Sequence, residues 1–151
     1  MNWITITETA VQTRLTGAEL NAFRTAAMAV GQGDPLPEVI AQVTDQVRGY
    51  VAACPNNALG ATGTIPKRLL ASALDIIRYR VATRLPQMAG LIDALREGEY
   101  KDALTLLRAV AACNYAIEDP AADGDDTGGG TVEVVNRPPR VAAKSQLGGL
   151  A

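Results

Sequence analysis

The stretch "PKRLLASALDIIRYRVATRLP", residues 66–86, decides how this chain folds. A proline stands in its first turn, where the missing N–H had no helical partner, and a second proline at position 86 ends the run. At about 100° per residue, Leu69, Leu70, Ala73, Ile76, Ile77, Val81 and Leu85 share one apolar stripe. Arg80 and Arg84 fall inside that stripe, while Asp75, Arg78 and Tyr79 lie on the other side. The spacing predicts one long helix whose buried face carries two permanent cations.

The flanking segments are helical as well. Thr5 with Glu8, and Thr16 with Glu19, have capping-box spacing, so "TITETAVQTRL" is expected to hold a short helix and "TGAELNAFRTAAMAV" a longer one that Gly31 and Gly33 stop. Asp34 with Pro35 and Pro37 opens the next helix. Its Leu36, Val39, Ile40, Val43, Val47, Tyr50, Val51 and Cys54 keep a narrow apolar stripe. "PNNALGATGTI", residues 55–65, reads as loop. Beyond Pro86, Met88, Leu91, Ile92 and Leu95 form a short amphipathic turn and Gly98 interrupts. "EYKDALTLLRAVAACNYAI" then resumes with Tyr100, Ala103, Leu104, Leu107 and Ala111 on one face. The fold class is therefore all-α, a small bundle of about five helices over residues 1–117.

Composition changes sharply at residue 118. "EDPAADGDDTGGG", residues 118–130, is acidic and glycine-rich and reads as a solvated linker. Asp123, Asp125 and Gly128 lack the terminal glutamate and flanking helices of a calcium loop. Residues 131–151 read as an extended C-terminal arm. "TVEVVN" gives it a short β-like segment, "RPPR" favours polyproline II, and scattered leucines follow. Such a segment has to find a partner edge, and adding a strand to another chain is the cheapest way to satisfy its backbone, which makes Val132, Val134, Val135, Arg137, Arg140, Val141, Lys144, Leu147 and Leu150 candidate docking residues.

The 151 residues and 48% hydrophobic content suit one domain with a tail, and a net charge of −2 leaves no basic surplus for holding phosphates. Histidine is absent, and serine occurs only at Ser72 and Ser145, so no hydrolase triad can be assembled. The acids of the helical part fit caps and solvated faces rather than a catalytic pair. No cofactor or metal motif is present, and neither a secretory leader nor a membrane-spanning run is read. The expectation is a protein that is not an enzyme. Cys54 and Cys113 do not have metal spacing; we read them as packing thiols of a reducing compartment, with a disulfide as the alternative.

Two readings of Arg80 and Arg84 stay open. Both cations can face the helix dipole and its last carbonyls while their stems cover apolar surface. Alternatively, another subunit covers this face and its carboxylates pair with the guanidinium groups. "PKRLLASALDIIRYR" is basic enough for a DNA-recognition helix, but it is the core helix.

In order along the chain, "WITITETAVQTRLTGAEL", "IPKRLLASALDIIRYRVATRLP", "EYKDALTLLRAVAACNYAIE" and "KSQLGGL" resemble a Mu-like family of tailed-phage and prophage proteins labelled as structural or head-to-tail joining proteins. The resemblance implies a connector or adaptor, a virion protein of the neck that assembles in the bacterial host cytoplasm as a homo-oligomeric ring of about twelve copies. Its arm would grip the portal protein, and its opposite face would receive a downstream neck or tail-completion protein. Double-stranded DNA would pass through the channel without sequence-specific binding. Arg78, Tyr79, Arg80 and Arg84 match the family's arginine-rich helix and carry over as candidate packing and intersubunit residues. The competing expectation is a soluble assembly chaperone or host-protein-binding module acting through its C-terminal tail.

Overall fold

The computed structural model describes residues 2–28, 31, 33–84, 90 and 92–121. The order is β1 (Trp3–Ile4), α1 (Glu8–Gln12), α2 (Gly17–Met28), α3 (Leu36–Ala52), β2 (Ile65–Pro66), a 3-10 turn (Lys67–Leu69), α4 (Leu70–Arg84) and α5 (Ala94–Ala111). The chain is thus predominantly helical, with five α-helices among the described residues. The expected arm, with Val132 through Leu150, lies outside them, as do Leu85, Pro86, Met88 and Leu91.

Local chemistry explains most of the helix starts. Thr16 and Glu19 form the expected capping box: the Thr16 N–H donates to Glu19 Oε2 at 2.9 Å and the Glu19 N–H to Thr16 Oγ1 at 3.2 Å. At α1 the cap is Thr7, whose hydroxyl accepts from the Ala10 N–H, and not Thr5. Asp34 Oδ1 takes the Leu36 N–H at 3.0 Å just before α3, and Pro37 sits in the first turn. Asp93 caps α5, which runs unbroken through Gly98. The expected interruption there does not occur, because one glycine costs a helix only about 1 kcal/mol and the long packed face of α5 outweighs it. Leu95 is consequently exposed on the first turn of that helix instead of forming a separate buried turn.

Helix α4 is the axis of the fold. Ser72, Ala73, Leu74, Ile76, Ile77, Val81 and Ala82 are all buried, which covers far more than one stripe, and α1, α3 and α5 all pack on it. The side opposite the stripe is engaged as well: Asp75 faces Arg14 at 3.5 Å, Arg78 pairs with Glu99, and Tyr79 stacks on Tyr100 with ring centroids 4.2 Å apart. Phe23, Leu36, Val43, Val47, Ile65, Leu69 and Leu107 also belong to the core. Further ion pairs join distant elements: Arg24 reaches both Glu8 and Asp34, and Arg96 of α5 holds Glu19 of α2 at 2.6 Å.

The segment expected as pure loop ends in a two-stranded antiparallel ladder, with Trp3 opposite Pro66 and Ile4 opposite Ile65. Arg48 organises the rest of that loop by donating to the carbonyls of Gly60, Ala61 and Thr64, and its guanidinium lies 5.8 Å from the Trp3 ring centroid.

Cys54 and Cys113, expected as separate thiols, are joined in a disulfide. The physical reason is that α3 and α5 end side by side, which brings the two Cα atoms to 5.4 Å, inside bridging range. Cys113 has φ of 60°; its N–H bonds to Val110 O and the next N–H, of Asn114, to Ala109 O. That is a Schellman ending with a cysteine in the left-handed position where glycine is usual, a conformation costing about 1–2 kcal/mol without compensation.

Candidate assembly surface

Sequence reasoning grouped four residues of α4, and the fold disperses them. Arg78 is mostly buried in its pair with Glu99, and Tyr79 is held against Tyr100, so both contact α5 of their own chain. Arg80 is half-buried and donates from Nη2 to Gln46 Oε1 of α3. Arg84 is exposed, with no partner among the described residues.

The Gln46 contact brings Arg80 to the edge of an open apolar groove. Gln46, Gly49 and Tyr50 of α3, its C-cap Ala53, and Ala111 of α5 line it, around a volume of about 390 Å³. Its floor is made of small residues, and the space over the Gly49 Cα is empty to 4 Å. None of the lining residues is charged, and the cation that reaches this wall is Arg80, through Gln46. Tyr50 packs partly against the core, as its place in the apolar stripe predicts, and also lines the groove, which the stripe alone does not reveal. The available signal was the pair of small residues, Gly49 and Ala53, one turn apart beside a tyrosine.

Below the groove the chain turns back into a strap. From Cys113 it runs to β1, where the Trp3 indole N–H donates to Glu118 O at 2.9 Å. The Glu118 carboxylate accepts the Arg68 N–H at 3.1 Å, and the Arg68 side chain reaches the carbonyl of Ala116. Glu118 and Asp119, counted with the linker by composition, are therefore bound to the helical unit. A cavity of about 240 Å³ separates the strap at Ile117, Glu118 and Asp119 from Asn56, Asn57 and Ala58.

Two partly buried carboxyls are shifted in opposite directions. Burial pushes the Asp75 carboxyl up, and the Arg14 and Arg78 charges only partly offset this. Burial also acts on Glu19, but bonds from the Thr16 N–H and Arg96 outweigh it and hold that carboxyl below the ordinary range. No group of three or more potential metal-ligating side chains occurs among the described residues, and no helix there is long and apolar enough to cross a membrane.

Residues 6–136 match the family model described as Bacteriophage Mu, Gp36. No curated protein and no solved structure matches the chain.

Proposed function

Because the chain belongs to the Bacteriophage Mu Gp36 family, we propose that it is a structural protein of the virion, a head-to-tail connector whose copies form a ring of about a dozen beneath the portal. It assembles in the host cytoplasm and resides in the neck of the particle. The portal protein contacts one side and a downstream neck or tail-completion protein the other, and double-stranded DNA crosses the channel without sequence-specific binding. No catalysis and no cofactor enter this role.

The observation that carries the reading is the α3–α5 groove with Arg80 at its edge. Small residues let the backbone of a neighbouring copy approach closely, and the guanidinium groups of Arg80 and Arg84 can pair with its carboxylates or helix carbonyls. A groove on one copy that meets a different patch on the next makes a heterologous contact, the kind that closes into rings. The arm, residues 131–151, leaves a helical unit whose last described segment is fixed at the Trp3 corner, which suits a tether to the portal.

Quantitative mass spectrometry of purified tailed particles tests the reading. About a dozen copies of this chain for each portal ring is the expected count. Absence from the particle sinks it and returns the question to a soluble chaperone or host-binding module. Arg84→Glu should block ring assembly and leave helicity unchanged. Normal assembly of that variant would show that the cation serves only its own helix end.

A further inference from the structure

The disulfide stands at the end of the groove. Cys54 follows Ala53 directly and Cys113 lies two residues beyond Ala111, and both of those alanines line the groove. One covalent bond thus fixes how the α3 wall sits against the α5 wall. The same bond sets the start of the strap, because the reversal at Asn114 depends on the left-handed conformation of Cys113. Cys54 is buried and Cys113 exposed, so an exchanging reagent reaches the pair from the Cys113 side. A bacterial cytosol keeps such pairs as thiols.

We propose that Cys54–Cys113 is a redox latch on the assembly surface, open as a dithiol in the host cytosol and closed after release. This rests on the cytoplasmic assembly of the preceding subsection. On closure the two thiols lose two protons and two electrons to dioxygen, giving the disulfide and hydrogen peroxide. The open form lets the end of α5 and the strap adjust while a neighbouring copy is fitted into the groove. The closed form then holds the groove walls and the strap in one arrangement. Reduction reverses the step by thiol exchange at the exposed sulfur.

The test uses the full chain expressed in a bacterial cytoplasm. Cells quenched in acid and alkylated at once should yield both cysteines as alkylated thiols, whereas protein left in air after lysis should yield the disulfide. Hydrogen exchange read by mass spectrometry, with and without a phosphine reductant, should show the amides of Ala112, Cys113 and Asn114 exchanging about tenfold faster in the dithiol. A Cys54→Ser/Cys113→Ser variant should exchange at the fast rate whether or not reductant is present. A disulfide already complete in quenched cells overturns the proposal, as does exchange at these amides that ignores the reductant. Sedimentation of both forms keeps the two ideas apart. A chain that never associates but shows both changes keeps the latch and loses the ring; one that associates with no change in exchange keeps the ring and loses the latch.

Discussion

Replacing Gly60 by alanine tests how tightly the Trp3 corner is built. A Cβ on Gly60 would lie 2.6 Å from Trp3 Cδ2, 2.7 Å from Cε3 and 2.9 Å from Cγ. Carbon contacts prefer about 3.5–4.0 Å, so the loop and the ring must separate by about 1 Å. The ring has little room to retreat, being 7% exposed and held through its indole N–H by the Glu118 carbonyl. If the loop moves instead, the bonds from Arg48 to the carbonyls of Gly60, Ala61 and Thr64 are disturbed. Overpacking of this kind costs about 1–3 kcal/mol, and one weakened hydrogen bond adds about 1 kcal/mol. Reduced freedom of the unfolded chain returns about 0.5 kcal/mol. The expected net loss is about 2 kcal/mol, a fall in Tm of about 4–8 °C for a chain this size. Urea titration followed by circular dichroism measures it, and fluorescence of the single tryptophan reports whether the ring has moved. A variant as stable as the parent would refute the steric account of this corner.

Removing the cross-link by Cys54→Ser/Cys113→Ser should lower stability under oxidising conditions by about 4 kcal/mol, from chain entropy for a separation of 59 residues, measured by denaturant unfolding. Gly49→Phe points a ring into the open groove, so it should leave the melting temperature within a few degrees of the parent and abolish self-association in sedimentation; unchanged association would remove the groove from the interface. Glu19 has a folded pKa below its ordinary value of 4.5, so the stability it adds is present above that pH and is lost as pH falls through the folded value. Glu19→Gln should therefore lower the neutral plateau by about 2 kcal/mol and flatten the acid limb of a stability profile. Asp75 has the opposite sign: its folded pKa lies above 3.8, so its charge costs stability at neutral pH and the cost fades in acid. Asp75→Asn should be neutral or mildly stabilising at pH 7 by thermal melting and should lose that advantage below pH 4.

The helices that announce themselves in sequence are those with one buried face and chemically marked ends. Helix α3 has its prolines, its aspartate and a narrow stripe, and α2 has its capping box. Helix α4 is legible as the core helix, but the partners of the side opposite its stripe are not. A helix packed by neighbours on several sides puts its polar residues into contacts too, and one stripe does not capture Asp75, Arg78 or Tyr79. The two-residue strands carry no alternation to detect, since their pairing comes from tertiary closure around Trp3. The disulfide depends on where two helix ends meet, which spacing along the chain does not encode. Of the candidate surface, Arg80 was reached from sequence; the groove it borders needed α3 and α5 side by side.

The clasp at Trp3 also decides where mechanical load goes. Tension applied to the chain beyond Ala121 meets the bonds at Asp119 and Glu118, through Asn2, Trp3 and Arg68, before it reaches any helix. If those yield, the pull arrives at Cys113 and passes through the cross-link into α3, bypassing the last turn of α5. A helix pulled from its free end unzips one turn at a time. Here the force is shared between the first strand and the two helices that the cross-link joins, so tension on the chain beyond Ala121 must break several elements together before the helical unit unravels.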